Sequence, residues 1–179
     1  GSEPEMCGNG VRCFAKFVVD HQIVSSDTFS VETLAGEIVP TVIKENGEVV
    51  SVKVDMGAPI LEAAKVPVTT VASGRCVDED VTVMKEKHRY TAVSMGNPHA
   101  VVFVESTAKI DLPKVGPYWE SFEQFPERIN TEFVEVVSRT HAKMRVWERG
   151  AAETLACGTG ACATLVAGVL TERLDRQAT

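Results

Sequence analysis

No stretch of the 179-residue sequence is apolar over the length of a bilayer crossing, and nowhere do basic residues gather into a run. The first absence excludes a membrane-spanning helix. The second, with 18 Lys and Arg against 25 Asp and Glu and a formal net charge of -7, argues against nucleic acid and anionic membrane as partners. No initiator Met, charged n-region or apolar h-region precedes the first motif, and no Gly stop follows the last helical stretch, so both ends read as cut from a longer chain. Cysteine is scarce: five residues, an odd number, with no Cys-x-x-Cys step and no neighbouring His pair. A disulfide scaffold and a structural zinc site are both excluded on that count, and a reducing compartment is expected. What remains is a soluble globular composition, 44% hydrophobic and 24% charged, which sets disorder aside. A chain of this length buries roughly 70% of its unfolded surface and makes one domain or two small ones.

The pattern along the chain is mostly β. Phe29 to Thr33, Glu37 to Ile43 and Val49 to Met56 alternate and are separated by turns at Ala35-Gly36 and Glu45-Asn46-Gly47, as successive antiparallel strands do. Two prolines between Gly57 and Pro67 break both periodicities, which places a domain boundary near residues 57 to 66, with domains over 1–60 and 61–179. Further strands are predicted at Val68 to Val71, Val81 to Met84, Arg89 to Met95, Ala100 to Val104, Thr131 to Val137 and Ala142 to Trp147, with a short helix within Pro113 to Phe125. The strands lack the regular intervening helices of parallel βαβ units, so an antiparallel sheet or barrel is expected and a Rossmann fold is not. Two helices stand out, one over Gly10 to Val19 and one over Gly160 to Leu170. The first carries a wide apolar stripe and is expected to be mostly buried. The second is apolar all round except for Thr164 and is expected to be enclosed by a curling sheet.

Each helix follows the same turn. Cys7-Gly8-Asn9-Gly10 and Cys157-Gly158-Thr159-Gly160 are each preceded, four residues earlier, by a glutamate, Glu3 or Glu153. This is an internal repeat, one copy per domain. Glycines permit a tight turn whose amides, with the positive end of the helix behind them, form a pocket for a carboxylate. The same field lowers the pKa of a thiol, so Cys7 and Cys157 are expected to be acid-base groups with depressed pKa values. Two such thiols on opposite faces of a carbon would remove a proton from one side and deliver one to the other, inverting a stereocentre without a cofactor. Cys13, Cys76 and Cys162 are read as packing residues, and His21, His88 and His141 match no motif.

The segments Glu5-Met-Cys-Gly-Asn-Gly-Val-Arg-Cys-Phe-Ala15, Met95-Gly-Asn-Pro-His99 and Trp147-Glu-Arg-Gly-Ala-Ala-Glu-Thr-Leu-Ala-Cys-Gly-Thr-Gly160 resemble the diaminopimelate epimerases, in the same order and over essentially the whole chain. The resemblance implies an α+β fold of two similar domains, each an antiparallel β-barrel around a central helix, the first incomplete here because the segment that family members carry ahead of the first cysteine is missing. It implies a cofactor-independent isomerase interconverting LL- and meso-2,6-diaminopimelate in lysine biosynthesis, with no metal and no cofactor, and a homodimer when full length. By motif, Cys7 and Cys157 correspond to the catalytic cysteines, and His99 and Glu148 to positions that assist them. Gly8, Asn9, Asn97, Asn130, Glu148, Arg149, Gly158 and Thr159 correspond to substrate contacts. Bacterial cytosol is the implied compartment, or plastid stroma, since Gly1 to Val18 also resembles the plant and cyanobacterial branch.

The residue chemistry agrees with several of these roles: Arg149 offers a planar fork for a carboxylate, Asn97 and Asn130 read an ammonium or a carboxylate without adding charge, and Glu148 suits an ammonium. Two alternatives stand beside this reading. One is a proline racemase-type enzyme, against which Asn9 and the Glu148-Arg149 pair speak. The other is a catalytically silent fragment or binding module whose thiols are structural or redox-sensitive.

Overall fold

The structure is a computed structural model that describes residues 7–34, 36–69 and 74–179. It divides into two compact units, Gly1–Gly57 and Ala58–Thr179. Glu3 of the repeat and Ala35 of the first turn lie outside the described residues, as does the end of the strand expected at Val68 to Val71, of which Val68 and Thr69 are not strand.

In the first unit, helix α1 (Gly8–Asp20) packs on a hairpin of β3 (Pro40–Glu45) and β4 (Glu48–Val54), while β1 (Val31–Thr33) pairs with β2 (Gly36–Ile38). The β3-β4 turn has Asn46 and Gly47 both at positive φ, 52° and 84°, the conformation that an Asn-Gly hairpin turn supplies at least cost. Ala15, Val18 and Val19 of α1 meet Val42, Val49 and Val52 of the hairpin. Besides Gly8 and Val11 in its first turn, the helix buries only this stripe. Phe14 and Phe17 are 47% and 52% exposed and Cys13 is exposed, so the expectation of a mostly buried helix, and of Cys13 as a packing residue, is corrected: within this unit a two-stranded hairpin covers one face of α1.

The second unit holds one six-stranded sheet in the order β10-β9-β8-β7-β6-β5. Its strands are β5 (Glu79–Val83), β6 (Glu86–Ser94), β7 (Pro98–Phe103), β8 (Asn130–Ser138), β9 (His141–Glu148) and β10 (Ala152–Thr154). The sheet is open, with no pairing among the described residues between β10 and β5 to close a barrel. It is also not wholly antiparallel, since β7 and β8 run parallel, His99 beside Asn130 through Phe103 beside Val134. A parallel neighbour requires a crossover. Residues between Phe103 and Asn130 provide it, including α2 (Leu112–Glu120), which starts with Pro113 near its N-terminus where a missing N–H costs nothing.

Alternation along the strands sorts the two faces. On one lie Tyr90, Ala92, Ala100, Val102 and Phe133, packed with Leu112 and Trp119 of α2 and with Phe125. Trp119 meets Phe133 edge to face at 6.0 Å between ring centres. Burying each such side chain contributes about 1.5–3 kcal/mol. Gly116 is where α2 comes down onto Trp147 of β9: a Cβ there would stand 2.2 Å from the indole ring. The other face presents His99, Val101 and Glu132 to α3 (Gly158–Leu170), which packs on β6, β7 and β8. Thr159, Gly160, Ala163, Thr164, Ala167 and Gly168 of α3 are buried, but Leu165, Val166, Val169 and Leu170 are only half-buried and Ala161 is exposed. The expected enclosure of α3 is therefore corrected, because the open sheet of this unit covers one side of the helix.

Candidate functional site

The two cysteine turns fold alike. Cys7 caps α1 with φ -127° and ψ 109°, and Cys157 caps α3 with φ -127° and ψ 114°. In each, the sulfur accepts a backbone N–H three residues on, from Gly10 at 3.3 Å and from Gly160 at 3.4 Å. Both sulfurs thus occupy the N-cap acceptor position that Ser or Asp usually takes. The glycine is needed at 160, because a Cβ there would come within 2.6 Å of Glu132 Oε1; at Gly10 a Cβ would stand 3.3 Å from Cys7, tighter than an ordinary contact. Gly8 is buried and Asn9 half-buried, with Asn9 Oδ1 accepting from Arg12. Cys7 is exposed, whereas Cys157 is buried with 7% of its surface accessible.

Around Cys157 the second unit builds a connected polar network. Thr159 Oγ1 lies 3.4 Å from the sulfur and accepts from Asn97 Nδ2 at 3.2 Å. Asn97 Oδ1 faces His99 Nε2 at 3.0 Å, and His99 Nδ1 meets Glu132 Oε1 at 2.7 Å. His99 and Glu132 have fully buried side chains. Asn130, also buried, donates to Pro98 O at 2.8 Å and accepts the Arg149 backbone N–H at 2.8 Å, so it ties β8 to the loop after β9. Glu148 accepts from Thr154, and the Arg149 guanidinium donates to Glu127 O at 3.2 Å. The loop is held from below by Glu120, which accepts from Gly150 N–H at 3.0 Å and from Trp147 Nε1 at 2.7 Å.

The thiol of Cys157 is pushed up to about 11, first by burial and further by the charges of Glu132 and Glu148. The Thr159 hydroxyl and the Gly160 amide pull the other way without overcoming the loss of water. The expectation of a depressed value is corrected for this cysteine. Its resting form is the thiol, a proton donor, and the helix terminus moderates the cost of the thiolate without making it the ground state. Cys76, fully buried, is likewise shifted up by burial, as suits a packing residue.

The sequence matches the model of the family described as "Diaminopimelate epimerase" over residues 1–62 and 91–179. This chain belongs to that family. A diaminopimelate epimerase of Methanococcus maripaludis is 51% identical over 179 residues, one of Moorella thermoacetica is 52% identical over 179, and diaminopimelate epimerase 1 of a Nostoc species is 52% identical over 182. Each alignment takes in 100% of this chain and 64% of the relative, so the chain spans less than two thirds of the length of these family members. Among solved structures, a hydroxyproline epimerase from Agrobacterium vitis, bound to trans-4-hydroxy-L-proline, matches 96% of this chain and 54% of its own with a TM-score of 0.71 at 13% identity. A PhzF-family phenazine biosynthesis protein of Bacillus anthracis matches 94% of this chain and 58% of its own with a TM-score of 0.61 at 18% identity. At such identities these two show a shared α+β fold and nothing of chemistry.

Within the second unit the structure brings Asn97, His99, Thr159 and Cys157 into one hydrogen-bonded chain, and ties Asn130 to the backbone of Arg149. Glu148 lies close enough for its charge to act on Cys157. Gly8, Asn9 and Cys7 form the corresponding turn of the first unit. Glu153, the repeated glutamate, is ion-paired with Arg145 at 2.7 Å and so has a structural partner. His88 stands edge-on to Trp119, and burial lowers its pKa. Sequence reasoning missed Glu132 altogether. Its signal is the alternation of β8, which puts a carboxylate in line with Val134 on a packed face.

Proposed function

We propose that this chain carries the catalytic residues of a cofactor-independent amino-acid isomerase that interconverts LL- and meso-2,6-diaminopimelate, with Cys7 and Cys157 as its two acid-base groups. The observation that carries the reading is the doubled cysteine cap, with the same backbone angles and the same sulfur-to-amide contact at the head of each helix, in a chain of this family. Domains over 1–60 and 61–179 would each contribute one thiol.

In the proposed reaction the thiolate of one cysteine takes the α-hydrogen of the substrate as a proton. The electron pair left on carbon delocalises into the neighbouring carboxyl group, where N–H groups at a helix start stabilise the growing charge. The thiol of the other cysteine delivers its proton to the opposite face, and the two sulfurs end with their protonation exchanged. Cys157, held as a thiol by its burial, suits the donor role in one direction. Gly8, Asn9, Gly158 and Thr159 supply the turn contacts, Asn97, Asn130 and Arg149 the polar recognition, and Glu148 an anion for an ammonium. Asn130 and Asn97 already spend part of their hydrogen-bonding capacity inside the protein, which fixes their orientation ahead of binding.

The proposal includes a place in lysine biosynthesis, a homodimer at full length, and a cytosolic or plastid setting compatible with free thiols. Among the described residues no helix is long and apolar enough to cross a membrane. Substrate competition tests the assignment: under reductant, LL-diaminopimelate is converted to the meso form while L-proline and trans-4-hydroxy-L-proline are left unchanged. Racemisation of proline with diaminopimelate ignored would overturn it.

A further inference from the structure

Among the described residues, Glu132 is the one fully buried carboxylate beside Cys157 that the two-thiol chemistry leaves unused. Its Oε1 meets His99 Nδ1 at 2.7 Å, and its Oε2 has no hydrogen-bond partner among the described residues. On the far side of the imidazole, Nε2 faces Asn97 Oδ1 at 3.0 Å. An amide oxygen only accepts, so Nε2 carries a hydrogen, and the Nδ1 to Oε1 contact needs one as well. The pair therefore holds two hydrogens, one more than a neutral imidazole beside a carboxylate. It is electrically neutral as a whole, whether the extra proton sits on the ring or on the carboxyl group. Neutrality suits a fully buried pair with one oxygen left unpartnered, where an uncompensated charge would be costly.

We propose that Glu132 is a positioning residue: the proton it shares with His99 fixes the direction of a hydrogen-bond relay, from His99 to Asn97 to Thr159, that ends with the Thr159 hydroxyl donating to Cys157 Sγ. With Nε2 donating to Asn97 Oδ1, the Asn97 amide must present Nδ2 to Thr159 Oγ1, and the hydroxyl hydrogen is then free to turn to the sulfur 3.4 Å away. With one hydrogen fewer on the pair and Nε2 bare, Nε2 would be an acceptor, the Asn97 amide would turn over, its oxygen would take the Thr159 hydroxyl hydrogen, and the sulfur would keep only the Gly160 N–H. The hydrogen count on the pair and the donor on the sulfur are thus linked. Cys157 at the start of α3 feels the charges of both Glu132 and Glu148 of β9, while β6 turns Thr91 and Val93 to this face and adds no titratable group.

The importance of the relay for turnover rests on the reading of Cys157 as an acid-base thiol, but the relay itself belongs to the second unit and is tested without turnover. The experiment is NMR of this chain at neutral pH, following the hydrogens on the His99 ring nitrogens, the Asn97 side-chain amide and the Cys157 Cβ. The expected result is two hydrogens on the pair, one on Nε2 and one in the Nδ1 to Oε1 contact. Glu132→Gln loses one of the two, because no carboxyl group is left to share a second. Thr159→Val leaves the His99 hydrogens in place and shifts the Cys157 Cβ, because the hydroxyl donor to the sulfur is gone. A bare Nε2 in the unaltered chain overturns the proposal, and this holds even if Glu132→Gln does not fold. So do two hydrogens that survive Glu132→Gln, or a Cys157 Cβ unmoved by Thr159→Val. A chain that ignores diaminopimelate yet shows these signals would remove the substrate assignment and leave the relay.

Discussion

A thiol that ionises near 11 instead of the ordinary 9.0 is about one part in a thousand thiolate at pH 8, against about one part in ten for an unperturbed one. Cys157 is therefore expected to react with iodoacetamide about a hundredfold more slowly at pH 8 than its solvent access alone allows. The rate, followed on the Cys157 peptide by mass spectrometry, should rise about tenfold per pH unit and level off only near pH 11. Access scales the whole curve and leaves its midpoint in place, so the midpoint is the quantity to read. Glu148→Gln should move it down, because the Glu148 charge adds to the shift, and Thr159→Val should move it up, because the hydroxyl opposes it. The same shift has a stability consequence. The folded value lies above the unfolded one, so the contribution is fully present below about pH 9 and is lost as pH rises towards 11; a two-unit shift is worth about 2.7 kcal/mol at most. Urea unfolding should weaken across that window and flatten in Cys157→Ala. A reactivity midpoint at or below 9 would refute the dominance of burial over the helix terminus.

Gly116→Ala places a methyl group into the face of Trp147, a rigid ring held by its Nε1 hydrogen bond to Glu120. The gain of about 1 kcal/mol from helix propensity is outweighed by overpacking of up to about 3 kcal/mol. A net loss of about 2 kcal/mol is expected in urea unfolding, and stability at or above that of the unaltered chain would contradict the packing described. Glu120→Ala removes the acceptor for Trp147 Nε1 and Gly150 N–H and should cost about 1–3 kcal/mol, with faster amide exchange at Gly150 as the local signature. Gly160→Ala brings a Cβ to 2.6 Å from Glu132 Oε1, so it should disturb the His99 ring resonances as well as lower stability, whereas unchanged His99 signals would show the approach of α3 to Glu132 to be looser than described.

Local rules made the helices and hairpin legible in the sequence. The Cys-Gly-x-Gly steps placed both helix starts within two residues, because the turn chemistry is written in consecutive positions. Asn46-Gly47 fixed its hairpin for the same reason. What escaped depends on residues far apart in sequence. The parallel pairing of β7 with β8 is set by a crossover through α2 and leaves no mark on the alternation of either strand. β10 (Ala152–Thr154) is too short for any periodicity to show. The cysteine turn correctly put a sulfur at each helix start, but the ionisation of Cys157 depends on burial under β6 to β8 and on Glu132 and Glu148, none of which the turn encodes. The exposure of Phe14 and Phe17 follows equally from what packs on α1, and only a partner surface records that.

The central claim is that Cys7 and Cys157 together move the α-proton, and the most direct measurement is exchange of that proton of LL-diaminopimelate in heavy water by NMR under reductant. It should be run on this chain and on a chain extended to the full length of its relatives, each with Cys7→Ser and Cys157→Ser. The account predicts exchange and formation of the meso isomer in the extended chain at least, with epimerisation lost in either serine variant. Epimerisation that persists in either variant, or no exchange even at full length, would contradict it.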